Sequence, residues 1–267
     1  MSAFWEYAFL QRALAAGVLI AAACAVLGVF LVLRKDSMIG HGLSHIAFAG
    51  VALGLVVRGL PIVVALVVSV FAAWVLVRLK SRAGLHGDTA IAVLSSGGLA
   101  LGIVLASVAR TYNAGLLAYL FGEILAISGG EVVLAVGLAG AVMATVWGLY
   151  PQLLFLTFDR ESARASGLAV DRLDTVLSVL TAVTIVLGMR VVGLLLVSAL
   201  VVIPAAAALQ VASSFRRALF LAAALAVLSV VVGLAVAYGF DLPASGAVVL
   251  VSLAFFGVTT AVRSRFT

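Results

Sequence analysis

The sequence predicts an all-α protein, a polytopic bundle of eight or nine membrane-spanning helices. Three observations predict it. Of the 267 residues, 66% are hydrophobic and 10% are charged, against about 45–50% and about 25% in an ordinary soluble domain. Mean hydropathy is +1.35. The apolar residues also fall in runs long enough to cross a bilayer, which takes about 20 residues as a helix. This composition excludes intrinsic disorder, a nucleic-acid-binding domain and almost any water-soluble enzyme.

The runs are 13–33, 39–57, 61–77, 89–109, 132–150, 173–189, 191–209, 218–238 and 243–262. Arg34-Lys35-Asp36 closes the first, and Gly59-Leu60-Pro61 separates the second from the third. Asp88-Thr89 reads as the N-cap of the fourth, with His86 beside it as a solvated loop residue. The segment 111–131 contains Gly115 to Gly122, an apolar stretch too short to cross, which fits an interfacial or re-entrant helix. A one-residue turn at Arg190 divides the sixth and seventh runs, and Asp241-Leu242-Pro243 divides the last two. The turn at Arg190 and the segment 111–131 are the weak points, and they leave the count at eight or nine. The longest polar stretch is 159–174, so the chain reads as one membrane domain over 1–267 with no soluble domain and no fixed-period repeat.

Sixteen Lys and Arg stand against ten Asp and Glu, a formal charge of +6. Alternating the sides of successive runs sorts the cations. Arg34, Lys35, Arg78, Lys80, Arg82, Arg160, Arg164, Arg172, Arg216, Arg217, Arg263 and Arg265 share one side. Arg12, Arg58, Arg110 and Arg190 share the other. Basic loops stay in the cytoplasm, which places the C-terminus inside and the N-terminus outside. The lone cysteine, Cys24, excludes an intramolecular disulfide and a multi-cysteine metal cluster. Ala21-Ala22-Ala23-Cys24 is similar to a lipoprotein cleavage site, but the apolar run continues to Leu33, so it reads as mid-helix.

Four constellations stand out. In Gly40-His41-Gly42-Leu43-Ser44-His45 two histidines are four apart, on one face of a helix. Imidazole suits zinc and other borderline transition metals. Two neutral histidines hydrogen-bonded near a helix end are the plain alternative. A metalloprotease HExxH is excluded, because Gly42 stands where its glutamate would be. In Phe158 to Leu168, Asp159 caps a short helix, Glu161 lies in its first turn and Gly167 ends it. On composition alone this is a solvated connection. Pro204, in the run after Gly193, is expected to kink its helix. Glu123 and Glu131 lie on the outer side, where acids help a cation approach or are merely solvated. Gly50 with Gly54, and Gly98 with Gly102, are small-residue pairs that permit close helix contact.

Some features are missing. No G-x-x-x-x-G-K-[ST] occurs, and the only lysines are Lys35 and Lys80, so a P-loop is excluded. No acid stands mid-span as a proton relay.

Several stretches resemble a known family. Phe30 to His45 is similar to a stretch ending in G-D-x-[LI]-[SA]-H. Leu120-Phe121-Gly122-Glu123-Ile124-Leu125 resembles L-F-G-[DS]-[IL]-L. Asp159 to Gly167 resembles D-x-E-x-A-x-x-x-G, with Asp159, Glu161, Ala163 and Gly167 on its fixed positions. Val192 to Ala206 resembles V-G-x-L-L-V-x-A-L-L-V-I-P-A-A. All four resemble the membrane permease subunit of bacterial ABC importers for zinc and manganese, the ABC-3 group. The likeness runs from about Gly28 to Ala208.

The resemblance implies an ABC importer permease in the bacterial plasma (inner) membrane. It implies a homodimer, two cytoplasmic ATPase subunits and an extracytoplasmic metal-binding protein that delivers the ion. The segment 159–170 becomes a coupling segment that docks on the ATPase. His45 falls on the family's motif histidine, and His41 joins it as a candidate ligand. The family usually has Asp where this chain has His41. The expected function is ATP-driven import of a divalent transition metal, zinc before manganese. The metal is cargo rather than a resident cofactor, and the permease itself is not an enzyme. Two rivals stay open: a stand-alone secondary cation transporter, and an intramembrane metalloenzyme built on the same histidines.

Overall fold

A computed structural model describes residues 8–82, 87–108, 119, 120, 122 and 127–264. Eleven helices are described in chain order: α1 (Ala8–Leu33), α2 (Met38–Val56), α3 (Pro61–Arg82), α4 (Gly87–Val108), α5 (Gly129–Gly148), α6 (Tyr150–Phe158), α7 (Arg160–Ala165), α8 (Val170–Val192), α9 (Leu194–Val211), α10 (Phe215–Phe240) and α11 (Ala244–Ser264). No strand occurs among the described residues. Nine of these helices, all but α6 and α7, are long and apolar enough to span a membrane. The expectation of eight or nine spans therefore resolves to nine among the described residues.

Two local details depart from the runs. The break between the sixth and seventh spans is not at Arg190. Helix α8 continues through Arg190 to Val192, and the chain turns at Gly193, whose φ is 89°. Glycine takes that conformation at little steric cost, which arginine does not. Helix α6 is the other departure. Pro151 lies at its start, where the missing N–H would have had no helical partner anyway. Helix α9 runs unbroken past Pro204, which is buried.

The chain gathers into two compact units. One comprises the described parts of 1–32, 118–141 and 187–267. In it α9, α10 and α11 pack against one another. A Cβ on Gly233 of α10 would lie 2.5 Å from the Val248 Cα of α11. Gly28 of α1 lies against the Val201 carbonyl of α9, and the Phe30 and Phe215 rings meet edge-on at 5.1 Å. Gly122, at φ 74°, packs on the backbone of Val192 and Gly193. Two stretches that carry the family resemblance thus meet, glycine to glycine. Glu131 folds back on its own helix start. Its carboxylate accepts from Ser128 N–H at 2.8 Å and from the Arg190 guanidinium. It is a helix-end clamp rather than a merely solvated acid.

The other unit comprises 33–117 and 142–186. Here α2 packs on both α3 and α4. Added Cβ atoms on Gly50 and Gly54 would each lie 2.5 Å from backbone, at Ala65 Cα and Pro61 Cα of α3. On α4, a Cβ on Gly98 would meet Ile46 Cα at 3.1 Å, and one on Gly102 would meet Ala49 Cα at 3.2 Å. Both small-residue pairs therefore bring backbones together, as their spacing suggested. Helix α2 is held from two sides by contacts with no slack.

Gly50 gives a direct test. Alanine is favoured over glycine in a helix by about 0.5–1 kcal/mol, but the Ala65 backbone cannot move aside as a flexible side chain would. Gly50→Ala is expected to destabilise the protein by about 1–3 kcal/mol, read as a lower melting temperature in detergent. Gly137→Ala, where nothing lies within 4 Å, should leave it unchanged or raise it. A Gly50→Ala protein as stable as its parent contradicts the packing.

Candidate metal site and coupling segment

Helix α2 starts one turn before its histidines. The Ile39 N–H bonds the Asp36 carbonyl at 2.9 Å and begins the helical register. His41 and His45 then fall on one face. Their Nε2 atoms are 3.1 Å apart, and the rings meet edge-on with planes at 82°. His41 is exposed and His45 is half-buried. Ser44 turns its hydroxyl back to the His41 carbonyl at 2.7 Å and does not compete for the imidazoles. Gly42 lies against Ile91 of α4, where a Cβ would come within 2.8 Å of Ile91 Cγ2. The residue between the histidines is thus what lets α2 approach α4.

That nitrogen separation matters chemically. Two Zn–N bonds of about 2.0–2.1 Å at a tetrahedral angle put their nitrogens about 3.3 Å apart. The pair needs little movement to share one ion. The same spacing also serves a hydrogen bond between two neutral imidazoles. Among the described residues, no group of three His, Cys, Asp or Glu side chains could hold a metal. The histidines supply two positions of a shell that something else must complete. Glu123, expected near the outer cation approach, lies outside the described residues, as does His86.

The segment 159–170 folds as its sequence reads. Asp159 N-caps α7, accepting from Ser162 N–H at 2.9 Å and from the Ser162 hydroxyl at 2.5 Å. Those two bonds hold its carboxyl below the usual carboxylate range. Glu161 is exposed in the first turn. Ala163 is wholly buried and anchors the helix. At the far end Gly167 takes φ 86°, and the Leu168 N–H reaches back to the Ala163 carbonyl at 3.1 Å. This is the glycine-terminated closure of a helix C-terminus.

Behind the segment lies a buried charge network that the sequence reading missed. Asp174 of α8 has 7% of its side chain exposed and binds two guanidiniums. One is Arg34, at 7%; the other is Arg160 of α7, at 2.5 Å. Arg34 also lies 3.8 Å from Asp36, and Asp36 pairs with Lys80 of α3. Three cations thus meet two carboxylates. The network joins α7, α8, the turn after α1 and the end of α3 to Asp36, the residue that starts α2. Arg34 and Asp36, read from the sequence as closing the first run, are buried in this network.

The missed signal is the helical period of α8. Its buried positions include Val170, Leu173, Leu177, Thr181 and Ile185. That stripe passes through position 174. An aspartate on an apolar stripe demands a partner, and beyond its neighbour Arg172 the nearest cations in sequence are Arg164 and Arg160.

Comparison with known proteins fits this architecture. The model of the ABC 3 transport family matches residues 6–263. The chain belongs to that family. It is 32% identical over 254 residues to the manganese import system permease protein ScaB of Streptococcus gordonii, covering 95% of this chain and 91% of that one. It is also 32% identical over 260 residues to the high-affinity zinc uptake system membrane protein ZnuB of Haemophilus influenzae, covering 97% and 99%. Among solved structures, PsaBC from Streptococcus pneumoniae in complex with Fab superposes with a TM-score of 0.86 at 32% identity, over 97% of this chain and 93% of that chain. As an ABC 3 family member with nine candidate spans, the protein is a multi-pass membrane transport subunit.

The network sets a stability hierarchy. Asp174→Asn leaves two guanidiniums without their shared carboxylate, and breaking a buried pair costs about 3–5 kcal/mol. Arg164 pairs with Asp171 at 3.2 Å, but both side chains are more than half exposed. Arg164→Gln should cost less than about 1 kcal/mol. Thermal unfolding of the two variants in detergent checks the order, and equal melting temperatures would refute it.

Proposed function

We propose that this protein is the permease of an ATP-driven importer for a divalent transition metal, zinc in preference to manganese. In this reading it works as a homodimer in the bacterial inner membrane, with its C-terminus in the cytoplasm. Two cytoplasmic ATPase subunits drive it, and an extracytoplasmic metal-binding protein feeds it. The observation that carries the reading is the convergence of His41 and His45 Nε2 at 3.1 Å on a helix fixed by glycine contacts. Family membership and relatives named for both zinc and manganese transport support the metal class. The same membership favours the ATP-driven reading over a stand-alone secondary transporter. The metalloenzyme reading lacks a third ligand or a general base beside the histidines among the described residues.

The choice of zinc rests on donor chemistry. Manganese prefers oxygen-rich sites, whereas imidazole suits zinc. With His41 in place of the family's usual Asp, the pair offers nitrogen alone. In a two-fold dimer whose axis follows the translocation path, both pairs would face one another and supply four nitrogens. Four neutral donors leave the ion's double charge uncompensated, which favours release over retention.

Transport by the reconstituted complex, with the two ions in competition, tests the site. His41→Asp is expected to shift preference toward Mn²⁺, and His45→Ala to abolish uptake of either ion. An assembled His45→Ala complex that carries zinc normally would place the site elsewhere.

Alternating access then needs a mechanical path from the ATPases to the spans. Helix α7 is the docking element in this reading, and Arg160 on Asp174 links it to the network that holds the start of α2. Glu161→Ala with Gly167→Pro should uncouple ATP hydrolysis from uptake without unfolding the spans. Proline cannot adopt the positive φ at 167, and alanine removes an exposed charge. Normal zinc uptake per ATP in the double variant would remove α7 from the coupling role.

A further inference from the structure

Helix α3 carries an exposed apolar stripe that ends in arginine. Val63, Val67, Phe71 and Trp74 follow at helical spacing, each at least 42% exposed. Phe71 and Trp74 stack at 6.0 Å, and the Arg78 guanidinium lies 4.8 Å from the Trp74 ring centre. The stripe forms one wall of an open groove of 730 Å³ against α8, lined by Leu66, Val67, Val70, Phe71 and Val179. Trp74 and Thr175 line this groove and also a second cavity of 730 Å³, so the two adjoin. The second carries the charge. Arg78, Arg164 and Arg172 line it, with Asp171 as the single acid. Asp171 is taken by Arg164 at 3.2 Å. Among the described residues, Arg78 and Arg172 pair with no carboxylate.

We infer that this double cavity is a binding site for one anionic phospholipid, its phosphate held by Arg78 and Arg172 and an acyl chain laid along the α3–α8 groove past Phe71. The inference rests on reading α3 and α8 as membrane spans, and on neither the metal nor the coupling assignment. Three features select this occupant. The apolar and basic halves follow one another along a spanning helix, as tail and headgroup do in a bilayer leaflet. Trp74 sits at their junction, the level that amphipathic aromatic side chains favour at a membrane interface. Basic pockets between spanning helices suit anionic headgroups, since charge and hydrogen bonds both favour the phosphate. A second copy of the chain fits less well. Across a two-fold axis along the membrane normal, this face would bring the same arginines to the same depth.

The test uses the full permease in its complex, purified in detergent. Trp5→Phe with Trp147→Phe leaves Trp74 as the sole tryptophan of the three. Its fluorescence is followed while lipids with brominated acyl chains are added. Brominated phosphatidylglycerol is expected to quench Trp74 at several-fold lower concentration than brominated phosphatidylcholine. Arg78→Gln with Arg172→Gln should erase that difference, and millimolar inorganic phosphate should not compete. Both arginines are exposed, so the variant is expected to fold, and native mass spectrometry gives a second readout as retained phosphatidylglycerol lost in the variant. Equal quenching by the two lipids overturns the inference in favour of ordinary annular contact. Displacement by inorganic phosphate overturns it in favour of a soluble anion. A disulfide between two copies through Val67→Cys overturns it in favour of a dimer interface.

Discussion

The carboxylate of Asp174 is the interaction on which the second unit's arrangement rests. It lies on the apolar stripe of α8, where an unpaired charge would not be tolerated. Two guanidiniums neutralise it: Arg34, from the turn that leads into α2, and Arg160, from the first turn of α7. Asp36 extends the same logic to Lys80 at the end of α3. One buried ion cluster thus fixes where four helices end or begin. Replacing it with apolar residues could stabilise the fold, as it does in other buried clusters. A buried charge nevertheless requires an opposite partner, which an apolar side chain does not, and here the pairs join particular helix ends.

Helix α2 inherits its position from that cluster at one end and from glycine along its length. Gly50 and Gly54 bring it onto the α3 backbone, and Gly42, Gly98 and Gly102 bring it together with α4. Between spans there is little hydrophobic drive, because lipid is as apolar as the helices, so contact without intervening side chains supplies the attraction. A helix held this tightly carries His41 and His45 as a preset pair. Two imidazoles whose nitrogens already lie 3.1 Å apart need little reorganisation to take an ion. In the proposed reading an ion would exchange water for nitrogen at a pair that is already set before it arrives.

Much of this was legible in the sequence, and the gaps have physical causes. The nine candidate spans among the described residues follow from apolar runs, since a bilayer demands length and hydropathy above all. The cap and stop of α7 were legible because Asp159 and Gly167 act on their own backbone, within a turn. The histidine pair was legible because a four-residue spacing has only one meaning on a helix. The break at Gly193 was misplaced to Arg190, because a charge was taken to mark the turn when a glycine's φ marks it. The Asp174 cluster stayed hidden because its partners are far apart in sequence. Arg34 and Asp36 looked like the close of the first run, and only the stripe of α8 points to a buried partner. Helix α6 has no strong signal apart from Pro151. The fold was thus readable wherever its cause was local, and obscure where distant charges had to find one another.

The account turns on His41 and His45 being ligands of the transported ion. X-ray absorption at the zinc edge, on the purified complex loaded with one zinc per permease dimer, addresses this directly. The account predicts a nitrogen shell at about 2.0–2.1 Å with imidazole multiple scattering, lost when both histidines are replaced by alanine. An oxygen-only shell, or a nitrogen shell that survives the double replacement, would contradict it.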